Sequence, residues 1–341
     1  MLFSFGIGRK RRDRMADLNI KYMGLNLRNP VIVGSSSMTS DLNKLKQIEE
    51  AGAGGVVLKS IFEEQIMSEV KDLHDKSHSA YHPEALDYIN SIGTYHSRSE
   101  YLKLIENAKK AVSIPIIASL NCVSRESWIN YAHEIERAGA DAIELNMFII
   151  PKNPKQDSKS IEDTYFDIHD AIRDLVKIPV ALKISPFLTN LYNFAERSEA
   201  KEVKALVMFN RFYHFDMDIE NMELTHGKIL TSHEEMALTL RWVTLLAGRY
   251  DFDIAATTGI HDCDAVIKQI LAGATAVQIV STLFYNGVGV IKEIISGIES
   301  WMKNQGFKTI PDFRGKLSRE KSENPAVFER FQYIKALTGI E

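Results

Sequence analysis

The stretch "RAGADAIELN" occupies residues 137–146, and close variants of it occur at two other places along the chain. These are "EAGAGGVVLK" at 50–59 and "LAGATAVQIV" at 271–280. Each stretch ends a segment of helical periodicity at a glycine and leads, through a short turn, into an apolar run of strand length. A helix-to-strand junction that is used three times predicts a fold built from repeated βα units.

Eight apolar runs of strand length alternate with segments of helical periodicity along the chain. They occupy residues 31–36, 55–60, 115–121, 141–147, 179–185, 205–210, 253–259 and 276–282. Runs of this kind are typical of parallel strands that helices cover on both faces. Eight βα units in roughly 270 residues match the usual size of a (β/α)8 TIM barrel. We therefore predict an α/β fold of this type, with a doubly wound sheet as the alternative.

The composition predicts a globular protein of the cytoplasm. Of its 341 residues 45% are hydrophobic, and the formal net charge of −4 does not favour a nucleic-acid-binding surface. No apolar stretch approaches the roughly 18 residues that a membrane-spanning helix needs. Cys122 and Cys263 lack the paired spacing of a disulfide framework or a zinc site. We expect neither nucleic acid nor membrane among the partners.

The chain is predicted to form one domain after a short leader. Residues 1–14 end in the basic cluster "RKRRDR" and are predicted to be a disordered basic leader, and residues 15–341 are predicted to form a single barrel. Two intervals, at about 61–98 and 211–232, are too long for simple crossovers. Both follow the carboxyl ends of strands, where a barrel builds its active site, so we expect lids or substrate walls there.

Polar side chains close most of the predicted strands, although strands covered by helices are normally apolar to their ends. They are Ser35, Ser36, Lys59, Ser60, Ser119, Asn121, Asn146, Lys183, Ser185, Asn210, Thr258, Ser281 and Thr282. The carboxyl ends of barrel strands all lie on one face of the barrel. The polar residues therefore predict a site on that face.

Lys59 and Lys183 are the most informative of these residues. A lysine that follows an apolar run is costly unless it meets an anion or a polar ligand. Taken alone, either lysine is explained by a position at the barrel rim or by a pair with a carboxylate such as Glu144. Two lysines together with asparagines favour an electron-rich cofactor such as a flavin. A Schiff-base lysine, as in aldolase-type barrels, is the alternative.

The last two predicted strands favour a phosphate group. Thr258 and Gly259 precede a helical pattern, and Ser281 and Thr282 precede a pair of glycines. Barrels frequently hold a phosphate between the loops that follow strands seven and eight. Ordinary turn and capping residues would give the same pattern.

No metal site is predicted. The histidines at 82, 96, 214, 226, 233 and 261 lack metal-ligand spacing, and "HEEMA" at 233–237 lacks the second histidine of a zincin.

Taken in order, these motifs resemble the dihydroorotate dehydrogenases, and among them the soluble class 1 type, from about residue 18 to residue 317. The motifs are "NPVIVGSS", "VVLKS", "INSIGTYH", "ELN", "ALKIS", "FN", "TTGI", "QIVSTL" and "FKTIPDFRGKL". Members of this family are FMN-dependent barrel enzymes that oxidise dihydroorotate to orotate in pyrimidine biosynthesis. The resemblance implies FMN as the cofactor, a soluble electron acceptor or redox partner protein, and a homodimer.

The resemblance also implies residue roles. It places Lys183 beside the flavin ring, where a cation stabilises the charge that reduction creates. The residues implied in FMN binding are Gly34, Ser35, Ser36, Lys59, Ser60, Asn121, Asn146, Lys183, Thr258, Gly259, Ser281 and Thr282. The residues implied in substrate binding are Lys59, Asn90, Gly93, Asn146 and Asn210, and Arg211 is a candidate partner for a substrate carboxylate.

The stretch "ELNMFIIPKNP" at 144–154 departs from the family. The family places a Cys or Ser base just before a Pro-Asn pair, whereas this chain has Phe148, Ile149 and Ile150 before Pro151. None of the three can accept a proton. We therefore predict a divergent member without an assigned base. Tyr95, His96 and His214 are candidate replacement proton donors.

A second departure concerns the loop after the sixth strand. The segment "HGKILTS" at 226–232 replaces the glycine-rich turn that the family has there.

Three functional hypotheses follow. The first is an FMN-dependent oxidoreductase acting on dihydroorotate or on a related planar or cyclic substrate. The second is a flavin-binding electron-transfer or subunit protein that does not turn over dihydroorotate. The third is a lysine-dependent, aldolase-like barrel.

Overall fold

The computed structural model describes residues 16–62, 98–121, 125–151, 153–211 and 214–328. Each of the eight predicted strands contains a parallel strand of one sheet. These strands are β3 (Val31–Val33), β4 (Gly55–Val57), β6 (Ile116–Asn121), β7 (Ala142–Asn146), β8 (Val180–Ile184), β9 (Ala205–Met208), β12 (Asp253–Ala256) and β13 (Ala276–Ile279). The eight predictions are confirmed. The observed strands are one to three residues shorter than the predicted runs. Polar residues such as Ser35 and Ser60 lie beyond the ladder, whereas Asn121 and Asn146 are paired in it.

The sheet closes on itself. Strand β13 pairs with β3, and β4 pairs with β6, so the order β3-β4-β6-β7-β8-β9-β12-β13 returns to its first strand. The short strand β5 (Ile61–Phe62) extends the pairing along β6 towards the mouth. The predicted (β/α)8 TIM barrel is confirmed. The doubly wound alternative is wrong, since such a sheet has two open edges.

Helices surround the barrel in the described part of the chain. They are α1 (Leu42–Glu50), α2 (Arg98–Ala111), α3 (Arg125–Arg137), α4 (Ser158–Arg173), α5 (Leu191–Ala200), α6 (Met236–Leu246), α7 (Cys263–Ala272), α8 (Ser281–Asn286) and α9 (Val290–Gln305). Aspartate caps begin several of them: the Asp41 carboxylate accepts from the backbone N–H of Asn43, and that of Asp262 from Ala265. The caps satisfy backbone donors that the first helical turn leaves unpaired.

The three related junctions share one backbone feature, which is a glycine with a positive φ angle. Gly52, Gly139 and Gly273 follow their helices with φ angles of 104°, 96° and 120°. Side chains rarely tolerate this region, so glycine ends each helix and turns the chain into the next strand. At Gly273 space is also short, because an added Cβ would lie 2.2 Å from the Cβ of Ala247. The repeated glycine therefore has a physical cause at each junction.

An antiparallel hairpin, β1 (Ile20–Tyr22) and β2 (Leu25–Leu27), packs near the amino ends of the barrel strands. The backbone N–H of Met23 donates to Asp253, the first residue of β12, at 2.7 Å. Residues 307–317 return to the same end of the barrel, where the N–H of Gly315 donates to the carbonyl of Ile270. Both segments therefore lie opposite the carboxyl ends of the strands.

The predicted insertion at 211–232 contains a second hairpin. It is formed by β10 (Phe215–Asp218) and β11 (Glu223–His226), and nearly all of its side chains are exposed. The insertion at 61–98 and the leader at 1–14 lie almost wholly outside the described residues. The predicted division into leader and single domain stays a prediction.

Within the described ranges, no helix is both long enough and apolar enough to span a bilayer. The same ranges bring together no group of three or more His, Cys, Asp or Glu side chains suited to holding a metal ion.

Candidate active site

Strand alternation brings buried polar residues to the interior of the barrel near its carboxyl end. Asn146 on β7 is the register partner of Lys183 on β8, and Ser119 on β6 is the partner of Glu144 on β7. All four are at most 8% exposed. Inward and outward positions alternate along a strand, so Ala142, Glu144 and Asn146 share the inner face of β7.

A chain of short contacts joins four strand ends. The Ser60 Oγ lies 3.0 Å from the Oγ of Ser35 and 2.8 Å from that of Ser119. The Asn146 Nδ2 donates to the same Ser60 Oγ at 3.2 Å. Residues that the sequence predicted for one face are therefore in direct contact, although their roles stay predictions.

Asn146 also has an unused hydrogen-bond acceptor. Its Oδ1 is buried and has no hydrogen-bond partner among the described residues. Leaving such an atom unpaired costs about 1–3 kcal/mol. A ligand that offers an N–H at this position would recover that free energy.

Lys183 faces a carboxylate inside the barrel. Its Nζ lies 3.7 Å from the Glu144 Oε1, and Glu144 is the carboxylate that the sequence offered as one alternative partner for either lysine. The Gln278 Nε2, on β13, donates to the other Glu144 oxygen at 2.5 Å. Sequence reasoning missed Gln278, although a glutamine within the apolar run "AVQIV" was the signal that could have found it.

The apolar exit of β7 is held by two side chains from other elements. The Tyr165 hydroxyl on α4 donates to the Met147 carbonyl at 3.1 Å, and the Asn210 Nδ2 lies 3.4 Å from the same oxygen. Burial raises the pKa of Tyr165 to about 12, so its phenol stays protonated. Ile150, beyond this anchor, is 50% exposed.

The turn after β12 has a strained backbone. Thr258 and Gly259 have φ angles of 78° and 72°, and the Thr258 hydroxyl donates to the Phe209 carbonyl at 3.2 Å. A Cβ added to Gly259 would lie 2.3 Å from the backbone nitrogen of Met236, at the start of α6. Only glycine allows this close approach. Strain of this kind is concentrated at functional sites.

The neighbouring loop packs onto α8. The backbone N–H of Thr231 donates to the Ser281 Oγ at 3.0 Å, and the Thr231 hydroxyl lies 3.1 Å from the His261 Nε2. The Thr282 hydroxyl donates to the His261 carbonyl at 2.9 Å. Burial lowers the pKa of His261, which favours its neutral form. Sequence reasoning missed Thr231 and His261 at this end of the site.

Arg211 holds the same loop from the other side. Its Nε donates to Glu235 at 2.8 Å, and its Nη1 donates to the carbonyls of Lys228 and Ile229, each at 2.7 Å. Burial raises the pKa of Glu235, but the stronger combined effect of Arg211 and the backbone of Ser232 lowers it. These contacts tie Arg211 to the protein itself. Its role as a substrate ligand stays a prediction.

The remaining predicted residues differ in their contacts and in their burial. At Gly34 an added Cβ would lie 2.8 Å from the Val280 Cγ2, and the Ser36 hydroxyl accepts from the N–H of Met38 at 3.2 Å. Lys59 and Asn121 are half-buried, and His214 is exposed. Four predicted residues lie outside the described part of the chain, and they are Asn90, Gly93, Tyr95 and His96.

The comparison with known families agrees with this geometry. A model of the dihydroorotate dehydrogenase family matches residues 17–302, which is most of the chain. This chain belongs to that family. The resemblance seen in the sequence motifs is confirmed. The chain is therefore an oxidoreductase of the dihydroorotate dehydrogenase type, and membership in the family does not favour the lysine-dependent aldolase hypothesis.

Curated relatives cover nearly the same length. The catalytic subunit of dihydroorotate dehydrogenase B (NAD(+)) from Thermoplasma acidophilum is 26% identical over 88% of this chain and 99% of that protein. The subunit of the same name from Thermoplasma volcanium is 28% identical over 88% of this chain and 98% of that protein. A putative dihydroorotate dehydrogenase A (fumarate) from Aeropyrum pernix is 24% identical over 89% and 98%.

Proposed function

We propose that this protein binds FMN at the mouth of its barrel and oxidises or reduces a CH–CH bond of a flat, cyclic substrate. The observation that carries the proposal is the buried polar cluster of Ser35, Ser60, Ser119, Asn146 and Lys183 at the carboxyl ends of the strands. A polar cluster in this position is how barrels build active sites.

The described residues fit a flavin by three tests. Asn146 keeps a buried acceptor without a partner, which suits a ligand N–H. Gly34 and Gly259 leave no room for a side chain, because Val280 and the backbone of Met236 pack against them, so the turns after β3 and β12 are held in place at the barrel mouth. Lys183 supplies a cation beside these groups. Bound FMN would supply a hydride acceptor that no side chain can provide.

The residues that would hold FMN follow from the same features. The ring end would be held by the strand ends of β3, β4, β7 and β8. The phosphate end would be held by backbone donors around the Thr258–Gly259 turn and by the start of α8. The proposed FMN ligands are Gly34, Ser35, Ser36, Lys59, Ser60, Asn121, Asn146, Lys183, Thr258, Gly259, Ser281 and Thr282.

Dihydroorotate itself is expected to be a poor substrate. Phe148, Ile149 and Ile150 bring no proton acceptor to the exit of β7, and the buried phenol of Tyr165 stays protonated. A general base contributes about 10²–10⁴-fold to such a step. We therefore propose either slow dihydroorotate oxidation or hydride transfer from the CH–CH bond of a related ring whose departing proton is more acidic.

We propose a soluble electron acceptor or a redox partner protein. Two of the relatives are named as catalytic subunits of NAD(+) enzymes, which implies that those proteins work with another subunit. A homodimer and a cytoplasmic location stay predictions.

One observation favours a second candidate function. The apolar side chains at 148–150 remove the proton acceptor but leave the polar cluster intact. A protein of this kind would bind flavin and pass electrons to a partner without turning over a small substrate.

Anaerobic flavin bleaching distinguishes the two functions. FMN-loaded protein would be mixed without oxygen with dihydroorotate and with related dihydropyrimidines, and the flavin absorbance near 450 nm, about where oxidised flavins absorb, would be followed. The proposal predicts slow bleaching by dihydroorotate or faster bleaching by another ring. Intact bound FMN with no bleaching by any of them would favour the electron-transfer function instead.

A further inference from the structure

Glu144 is a buried carboxylate inside the barrel. It is neither one of the proposed FMN ligands nor one of the proposed substrate ligands. It is 1% exposed, and it lies on the inner face of β7 two residues before Asn146. An ionised group in such a position is costly unless it is paired. Its presence inside the barrel therefore needs an explanation beyond packing.

The contacts of Glu144 are asymmetric. One oxygen accepts from the Gln278 Nε2 at 2.5 Å, across the barrel from β13. The other has no hydrogen bond within the described residues, and it lies 3.7 Å from the Lys183 Nζ. Among those residues, no other carboxylate lies within 4.0 Å of Lys183. The hydrogen bond from Gln278 thus holds the Glu144 carboxylate in place, and the negative charge of Glu144 acts on Lys183.

We propose that Glu144 is a positioning residue that offsets the charge of Lys183 and so sets how readily the bound cofactor accepts electrons. The inference rests on the proposed FMN site, and it adds a residue outside that site. Lys183 would stabilise the negative charge that bound FMN gains on reduction. A carboxylate behind the ammonium weakens that stabilisation, because the two charges largely cancel at a distance.

The physical consequence is a lowered reduction potential. A cofactor beside an uncompensated cation would accept electrons readily and release them reluctantly. With Glu144 in place, the cofactor is expected to pass its electrons on more easily. Such tuning suits a protein that hands electrons to a soluble partner.

The test is the two-electron midpoint potential of bound FMN in E144Q, measured anaerobically against a reference dye. The substitution removes the charge and keeps the shape. We expect the equilibrium constant for reduction to rise at least tenfold, which corresponds to about 30 mV for a two-electron couple. An unchanged or lowered potential in FMN-loaded E144Q would overturn the inference.

E162Q is the matched control. Glu162 is also buried, but it lies on α4 and pairs with Arg197 at 3.1 Å, outside the barrel. We expect E162Q to lower the free energy of unfolding and to leave the potential unchanged. An equal rise of the potential in E162Q and E144Q would show a general structural effect and would also overturn the inference.

The K183M background tests whether Glu144 acts through Lys183. A buried carboxylate without a counterion is driven towards its neutral form. E144Q is therefore expected to change the potential much less in K183M than in the wild type, and an equal change would contradict the proposed link. If E144Q does not fold, E144D keeps the charge but withdraws it from Lys183, and a smaller rise is expected.

Failure of the proposed function is distinguishable from failure of this inference. A wild-type protein that binds no FMN would overturn both. A wild-type protein with FMN and an E144Q variant with an unchanged potential would overturn the inference alone.

Discussion

At the scale of single residues, the site has side chains that fit a flavin but lacks a proton acceptor after β7. Asn146 and Lys183 lie side by side in the ladder and are buried at the mouth of the barrel. The residues that follow β7 have apolar side chains in place of a proton acceptor. The groups that fit a flavin are therefore separable from the group that would act on dihydroorotate.

Restoring a proton acceptor tests this separation. Replacing Ile149 or Ile150 by Cys is expected to raise anaerobic dihydroorotate oxidation at least about tenfold, because a general base contributes about 10²–10⁴-fold. The measurement is the rate of flavin bleaching, with Ile149→Ala and Ile150→Ala as controls that shorten the side chain without adding a thiol. An unchanged rate in both Cys variants would show that the pocket itself has diverged.

The buried His169 is expected to make the free energy of unfolding depend on pH. It is 1% exposed on α4, and burial lowers its pKa from 6.5 to about 4, with Asp170, Arg173 and Lys201 nearby. The unfolded chain therefore binds more protons between these pH values, so the free energy of unfolding falls as the pH drops from about 6.5 to 4. The loss is at most about 3 kcal/mol.

The variant His169→Gln removes this titration. Chemical denaturation at several pH values should show a flatter dependence between pH 6.5 and 4 in this variant than in the wild type. His133, which is exposed on α3, is the control, and His133→Gln should keep the wild-type slope. Parallel slopes in His169→Gln and the wild type would rule out this role of His169.

At the scale of elements, the helix-to-strand junctions decide the fold. Gly52, Gly139 and Gly273 use left-handed backbone to end α1, α3 and α7. The strands that follow enter the barrel directly after a short turn. The junction is local, and this is why the sequence predicted it correctly.

Gly273→Ala is expected to be more destabilising than an ordinary substitution at a helix end. The new Cβ would lie 2.2 Å from that of Ala247, in a backbone with φ of 120°. We expect a loss of about 3 kcal/mol or more in the free energy of unfolding. Gly306→Ala is the control, since Gly306 has φ of 76° but no atom within 4 Å of an added Cβ.

Strain alone at Gly306 should cost about 1–2 kcal/mol. Chemical denaturation of both variants measures the difference. Equal losses would show that the close approach to Ala247 relaxes at little cost.

The sequence predicted the helices and strands more completely than it predicted the contacts between them. The polar strand ends predicted the face of the site, because alternation and strand direction are local properties of the chain. Gln278, Thr231 and His261 were missed as members of the site. Each depends on a contact between segments far apart in sequence, such as the one that joins Gln278 to Glu144. Local patterns do not contain that information.

At the scale of the whole molecule, the segments that pack against the bottom of the barrel and the residues of the proposed active site lie at opposite ends of the strands. The hairpin β1–β2 and residues 307–317 lie at the amino ends of the strands, whereas the buried polar cluster lies at the carboxyl ends. This division is general among barrels. Changes at 148–150 could therefore alter the reaction while the family fold and the polar cluster were kept.

The polar cluster at the barrel mouth is expected to bind FMN although the proton acceptor is missing. The absorbance spectrum and FMN content of the purified protein, followed by titration of the stripped protein with FMN, test this expectation. We predict about one tightly held, non-covalent FMN per chain, with weaker binding in a Gly259→Val variant, because the added side chain would meet the start of α6. A colourless protein that takes up no FMN on titration would contradict it.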